Sequence, residues 1–235
     1  MSSLYLLLIV FLACFSWVGS VYALLLPDGS VLPHMLSEES VRWFVRHSVD
    51  NVSNAPFAEV LLVLITVGAL RSSGLFMALV HCMSSATRRN RHALYAALVV
   101  LAVCVCLVLI GIAPGGNLLS VTGHLRGGPF ASGWLFLLTL VVVIPCVVYA
   151  KMTGKWGNAR EVFAGLASEI ASHASCFVTI VVASQLLAAI QYVRLFELLG
   201  VTYTMQRIFV ALLYTIPLII SFAINNYGHE SSSTE

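Results

Sequence analysis

The chain has 235 residues, of which 60% are hydrophobic and only 9% are charged, and its formal net charge is +2. A soluble domain carries about 25% charged residues, so this composition excludes a protein that faces water on all sides. The near-neutral charge balance also argues against a nucleic-acid-binding surface. The apolar runs are long and continuous, whereas the strands of a membrane barrel alternate over short segments. We therefore expect an all-α integral membrane protein.

Six stretches are apolar and long enough to span a bilayer, which takes about 20 such residues. They are Leu4–Leu26, Ala58–Met83, Leu94–Ala113, Trp134–Ala150, Phe177–Val193 and Ile208–Ile224. The first ends in Val21-Tyr22-Ala23, which resembles a signal-peptidase site, but no Lys or Arg precedes it, which favours a retained helix. The spans predict a single transmembrane domain over residues 1–228 and a polar, disordered tail over residues 229–235.

An amphipathic helix is predicted in the polar interval after the first span, in the sequence SEESVRWFVRHSV. Val41, Phe44, Val45 and Val49 recur at helical spacing, and the neighbouring aromatic residues suit a membrane interface. Ser37, followed by two glutamates and a serine, is a typical start for such a helix. We expect the helix to lie on the membrane surface.

A charged and flexible segment, Arg71-Ser72-Ser73-Gly74, interrupts the second predicted span near its middle. A charge at this depth is costly and is usually functional or sheltered by protein. Three alternatives remain open from the sequence. The span is one tilted helix with Arg71 facing protein, or the helix unwinds near Gly74, or the span ends at Arg71 and a short surface helix follows.

Basic residues orient the predicted spans, because loops on the cytoplasmic side carry an excess of Lys and Arg. Two clusters lie between spans two and three and between spans four and five: Arg88, Arg89 and Arg91, and Lys151, Lys155 and Arg160. With six spans, this pattern places both clusters and both termini in the cytoplasm.

The sequence contains none of the common enzyme motifs. We find no P-loop, no GxGxxG before a helix and no HExxH, and the histidines are scattered singly. Cys104 and Cys106 lie two apart in an apolar run, where they suit neither a disulfide nor a metal pair. We therefore expect no enzyme activity, no metal and no cofactor.

Four polar residues within or beside the spans are the candidate functional residues. Arg71 and Gln185 are predicted to bind substrate, although hydrogen bonding between helices is an equally simple role for Gln185. Glu169 and His173 lie four apart, so on one helix they share a face and could relay a proton. The alternative is that both lie at headgroup depth, on a helix that Asn158 caps together with Glu161 three residues later.

Two blocks resemble the p-aminobenzoyl-glutamate transporter family (AbgT). Residues 36–79 are similar to the family's surface helix, Asn and Ala-Pro turn, and apolar span ending in Ser-Gly-Leu. The second block runs from Arg91 to Gly200 and contains IPCVVYAKMTGKW, similar to the family's Leu-Pro-Gly-x-x-Tyr-Gly-x-x-x-Gly stretch. It continues through REVFAGLASEIASHA and VVASQLLAAIQYVRLFELLG, similar to a helix ending in Ala-Ala-Gln-Phe and an Asn-Leu-Gly turn.

The resemblance implies a shortened member of that family, because nothing matches its Ser-Asn-x-x-Ser-Asp-Ala-Gly-Tyr segment, which belongs to the transport core. Arg71 stands where members often carry an acidic residue. Glu169 and His173 stand where members carry small or apolar ones. No substrate or coupling residue of the family therefore transfers to a position in this chain.

Two functions follow as expectations. The first is a proton-coupled transporter of p-aminobenzoyl-glutamate or a similar anionic solute, in the inner membrane. The second is a non-transporting scaffold or dimerisation subunit that keeps only the family's outer helices. Either implies contact with the lipid bilayer and pairing with a second copy or another membrane chain, and neither involves nucleic acid.

Overall fold

The computed structural model describes residues 2–25, 35–80, 88–113, 118–119 and 128–231. Helices account for nearly all of this described part. They are α1 (Ser2–Leu25), α2 (Glu38–Ser53), α3 (Phe57–Ser73), α4 (Leu75–Val80), α5 (Arg88–Ile112), α6 (Pro129–Thr153), α7 (Ala159–Ser172), α8 (Ala174–Tyr192), α9 (Leu195–Leu198) and α10 (Tyr203–Ser231). The predicted all-α fold is confirmed.

Within the described ranges, five helical stretches are long and apolar enough to cross a membrane. They are Glu38–Ser73, which joins α2 and α3, and then Arg89–Ile112, Pro129–Thr153, Ala174–Tyr192 and Tyr203–Ala223. A shorter apolar stretch in α1, Ser3–Val18, accompanies them. The six predicted spans correspond to these five stretches and α1.

The interruption in the second predicted span is a break at Gly74. Helix α3 ends at Ser73, and Gly74 has φ +75, a left-handed conformation that glycine adopts without steric cost. The Ser73 hydroxyl accepts a hydrogen bond from the backbone N–H of Leu75 at 3.2 Å, which starts α4. Of the three alternatives, the one in which the helix unwinds near Gly74 is found.

Local capping fixes the starts of the two polar helices as predicted. The Ser37 side chain accepts a hydrogen bond from the backbone N–H of Ser40 at 3.1 Å, at the start of α2. At the start of α7, the Glu161 carboxylate accepts from the N–H of Gly157 at 2.6 Å and from that of Asn158 at 3.4 Å. This is the returning half of a capping box.

The helices form two compact units where the sequence predicts a single domain. We call residues 58–172 the continuous unit, and residues 1–57 with 173–235 the split unit. Helix α10 extends to Ser231, into the stretch assigned to a disordered tail. The remaining tail residues, the predicted ends of the first two spans at Leu26 and Met83, and the loop around Arg126 lie outside the described residues.

The continuous unit is built on α5 and α6, which run in opposite directions. The Nε of Arg89, at the start of α5, donates to the carbonyl of Met152, at the end of α6, at 2.9 Å. Its buried core contains small side chains that allow close helix packing. The core residues are Ala69, Leu75, Ala93, Leu94, Ala97, Cys146 and Tyr149.

In the split unit, α1 and α10 are joined by a hydrogen bond that a proline makes necessary. Pro217 lies inside α10 and has no N–H, so the carbonyl of Leu213, four residues earlier, loses its helical donor. The hydroxyl of Tyr5 donates to that carbonyl at 3.1 Å, in a buried position. An apolar environment offers no water to replace this donor.

We predict that Tyr5→Phe lowers the thermal stability of the purified protein by about 1–2 kcal/mol, because a buried carbonyl then lacks its donor. Pro217→Ala restores an N–H at the right position, so the penalty of Tyr5→Phe should shrink in the Pro217→Ala background. Tyr203→Phe is the matched control, because Tyr203 is 73% exposed. Equal losses for Tyr5→Phe and Tyr203→Phe in a thermal unfolding assay would contradict this account.

Candidate functional site

Helices α3 and α7 approach each other closely at two glycines in the continuous unit. A Cβ at Gly68 would lie 2.8 Å from the carbonyl oxygen of Leu166. A Cβ at Gly165 would lie 2.5 Å from the Trp156 ring. The Ser72 hydroxyl, one turn after Gly68, donates to the carbonyl of Gly165 at 3.1 Å. Small residues thus let the two backbones meet, as they do in membrane helix pairs.

An ion pair lies about one turn further along both helices. Nη1 of Arg71 is 3.2 Å from Oε1 and 3.4 Å from Oε2 of Glu169. The Glu169 side chain is 10% exposed, whereas that of Arg71 is 40% exposed. A carboxylate so nearly buried needs a cation or several donors to remain charged. Arg71 supplies that charge and still presents part of its guanidinium to the surroundings.

The helix break places backbone groups next to this pair. Arg71 lies in the last turn of α3, where the free carbonyls favour a cation. The break at Gly74 follows three residues later, and the ammonium of Lys155 lies against that glycine. Broken helices at membrane depth are tolerated where protein or a cavity surrounds them, and solute sites are often built there.

The predicted proton pair is divided by a helix boundary. Helix α7 ends at Ser172, and His173 is the N-cap of α8 with φ −109 and ψ 20, so the predicted single helix is not continuous. Glu169 belongs to the continuous unit and His173 to the split unit. Proton coupling by these residues stays a prediction.

His173 is buried within the split unit. Its Nδ1 is 2.7 Å from the Ser221 hydroxyl of α10, and its ring centroid is 4.3 Å from that of Phe222. The tautomer decides which of the two groups donates. The contact joins the start of α8 to α10, and it gives the imidazole a firm structural role whatever its chemistry.

Gln185 connects helices, as its polar position inside a span predicts. Its Nε2 donates to the carbonyl of Ser48 at 2.9 Å, and its Oε1 accepts from Asn51 at 3.4 Å. The Ser40 hydroxyl donates to that of Tyr192 at 2.7 Å, further along the same two helices. These contacts hold the amphipathic α2 against α8. Substrate binding by Gln185 stays a prediction.

The split unit contains an apolar cavity of about 550 Å³ between α1, α8 and α10. Its lining residues are Tyr5, Leu8, Phe11, Leu12, Phe15, Leu186, Ile190, Leu195, Phe209, Leu212, Leu213 and Ile216. The hydroxyl of Tyr5 is committed to the Leu213 carbonyl. A charged solute finds no ion pair among these lining residues, so the cavity is a poor candidate for its site.

Sequence reasoning found Arg71 and Glu169 but missed their surroundings. The spacing Gly68-x-x-x-Ser72 is a small-x-x-x-small pattern, which is the signal that could have marked the helix contact. No local pattern indicates that Trp156 is buried against Gly165. Within the described residues, no group of three or more His, Cys, Asp or Glu could hold a metal ion.

We predict that Gly68→Ala destabilises the protein relative to Gly133→Ala by about 1–3 kcal/mol, the usual cost of overpacking. Both glycines lie inside helices, so both changes gain the same helix propensity. A Cβ at Gly133 meets nothing within 4 Å, whereas one at Gly68 meets backbone. Thermal unfolding of the two variants in one detergent measures the difference, and equal stabilities would rule out the close contact.

Comparison with known families and structures bears on this geometry. The model of the AbgT putative transporter family matches residues 81–226, more than half of the chain. A search of curated proteins finds no match. The predicted family resemblance, and the expectation of a transport protein in place of an enzyme, are confirmed.

Two solved transporters have a similar fold. The YdaH transporter of Alcanivorax borkumensis superimposes with a TM-score of 0.70 at 14% identity, covering 85% of this chain and 72% of that one. MtrF of Neisseria gonorrhoeae, described as illuminating a class of antimetabolite efflux pumps, superimposes with a TM-score of 0.71 at 16% identity. That alignment covers 83% of this chain and 69% of MtrF. At these identities the likeness concerns the fold.

Proposed function

The chain belongs to the AbgT family of transporters, and we propose that it moves p-aminobenzoyl-glutamate or a similar small anionic solute across the inner membrane in a proton-coupled manner. One observation carries the choice of an anion. Arg71 combines a partly exposed guanidinium with a position beside a helix break. A guanidinium binds carboxylates through two parallel hydrogen bonds, which gives both strength and orientation.

Glu169 has a positioning role in this proposal. Its carboxylate holds the Arg71 guanidinium at 3.2 Å, and it is far less exposed than its partner. An incoming carboxylate would compete with Glu169 for the same donors. Glu169 and His173 are then the titratable groups through which we propose that a proton gradient acts, because substrate and proton would exchange at one charge.

The contact between the ends of α5 and α6 supports the proposed orientation. Arg89 and Met152 belong to the two segments whose basic clusters the sequence assigns to one side, and they are joined by a 2.9 Å hydrogen bond. The positive-inside rule makes this the cytoplasmic side. We propose that both termini are cytoplasmic and that the chain acts as a homodimer or with a second membrane chain.

The second candidate function is a non-transporting scaffold or dimerisation subunit. The observation that favours it is the use of Gln185 and His173. Both are held in hydrogen bonds between helices of the split unit, to Ser48 and to Ser221. A scaffold needs such cross-links and needs no exposed charge.

The test is flux of p-aminobenzoyl-glutamate into liposomes that contain the purified chain, with and without a proton gradient. We predict that Arg71→Gln lowers gradient-driven flux about tenfold or more, the worth of a charge-assisted hydrogen bond to the solute. Arg207→Gln is the control, because it removes an equal charge from an exposed position on α10. Absence of flux from folded parent protein would favour the scaffold.

A double variant separates transport from folding. Arg71→Gln alone leaves the Glu169 carboxylate without this guanidinium and should lower stability. Arg71→Gln with Glu169→Gln removes both charges, so stability should recover while flux stays low. Recovery of flux together with stability would mean that Arg71 serves the fold alone.

A further inference from the structure

Four exposed cations lie at one end of the continuous unit, where α5 begins, α6 ends and α7 begins. We call Arg89, Lys151, Lys155 and Arg160 the basic rim. They come from three different segments of the chain, so their proximity results from the fold. Like charges gathered in this way repel one another, and a counter-charge would relieve the repulsion.

The loop between α6 and α7 is held rigidly, and it gives the rim a fixed form. The N–H of Trp156 donates to the carbonyl of Ala150 at 3.2 Å, and the Trp156 side chain is 5% exposed. Gly154 has φ +80 and lies under the Arg89 guanidinium. The ammonium of Lys151 donates to the carbonyl of Gly157 at 3.4 Å.

Nearby carboxylates do not neutralise the rim. In residues 58–172 the sequence has three acidic residues, Glu59, Glu161 and Glu169. Glu161 is committed to the backbone N–H groups that start α7, and Glu169 is paired with Arg71. Glu59 lies in the first turn of α3, about 20 Å along the helix from the break that Lys155 touches.

Exposed apolar side chains lie among these cations. Phe163 is 70% exposed, one turn after Arg160 on α7, and Met152 is 42% exposed, next to Lys151 on α6. Cations and exposed apolar groups occur together at the headgroup level of a bilayer, where one side chain meets phosphate and its neighbour meets hydrocarbon. A free anion in water would have no use for the apolar part.

We propose that the basic rim binds the headgroup of an anionic phospholipid. The phosphate and its negative charge contact the four cations, and the acyl chains pass Phe163 and Met152. The candidate spans α5 and α6 begin or end at the rim, so it lies at the depth of lipid phosphates. Basic pockets between membrane helices on the cytoplasmic side bind such headgroups in other proteins.

The experiment measures binding of a fluorescent phosphatidylglycerol to the full-length chain in a neutral detergent. Phosphatidylcholine with the same acyl chains is the zwitterionic comparison. We predict that Lys155→Gln with Arg160→Gln weakens phosphatidylglycerol binding roughly 30-fold, at about a tenfold share for each pair of units of lost surface attraction and more at low salt. Phosphatidylcholine binding should be unchanged.

Two variants keep this test decisive. Arg194→Gln with Arg207→Gln removes two charges outside the rim and should leave lipid binding within about twofold of the parent. Lys155→Arg with Arg160→Lys keeps both charges and should bind like the parent, which separates charge from folding. Both lipids binding equally well, or equal losses in the rim and control variants, would overturn the proposal.

Inorganic phosphate distinguishes a lipid site from a site for a free anion. Because the proposed site also uses Phe163 and Met152, millimolar phosphate should displace little phosphatidylglycerol. Full displacement by phosphate would mean that the acyl chains add nothing, and the lipid proposal would fail. Phe163→Ser should weaken phosphatidylglycerol binding without changing its dependence on salt.

Discussion

Every polar group that a helix carries into an apolar environment has to find its partner within the protein. The described helices obey this constraint through a few long-range contacts. Tyr5 replaces the donor that Pro217 removes from α10, and Gln185 bonds to a carbonyl of α2. Arg71 and Glu169 bring opposite charges together in a chain that is only 9% charged. These contacts determine which helices can lie side by side.

The Arg71–Glu169 pair combines the needs of folding with those of chemistry. Its carboxylate is shielded while its guanidinium is partly open, so the two partners are not equivalent. A fully buried pair would be stable but inert towards a solute. The small residues Gly68 and Gly165 bring the two helices close enough for the pair to form. Close packing and a reachable charge are therefore consequences of the same helix contact.

The sequence predicted features that depend on neighbours along the chain. Ser37 and Glu161 cap their helices as expected, because a cap needs only residues three or four apart. Contacts between distant residues could not be predicted in this way. Arg71 and Glu169 are 98 positions apart, and Tyr5 and Leu213 are 208 apart. Several pairings satisfy the same polar groups on paper, and only the packing of the helices selects one.

The space beside Gly74 contains the ammonium of Lys155, so two features that look independent in the sequence share one volume. A methyl group at residue 74 would strain the backbone and would also displace that ammonium. In evolutionary terms, positions 74 and 155 are not free to drift separately. A lineage that straightens the α3–α4 break has to re-route or shorten the side chain at 155, and the charge at the membrane boundary changes with it.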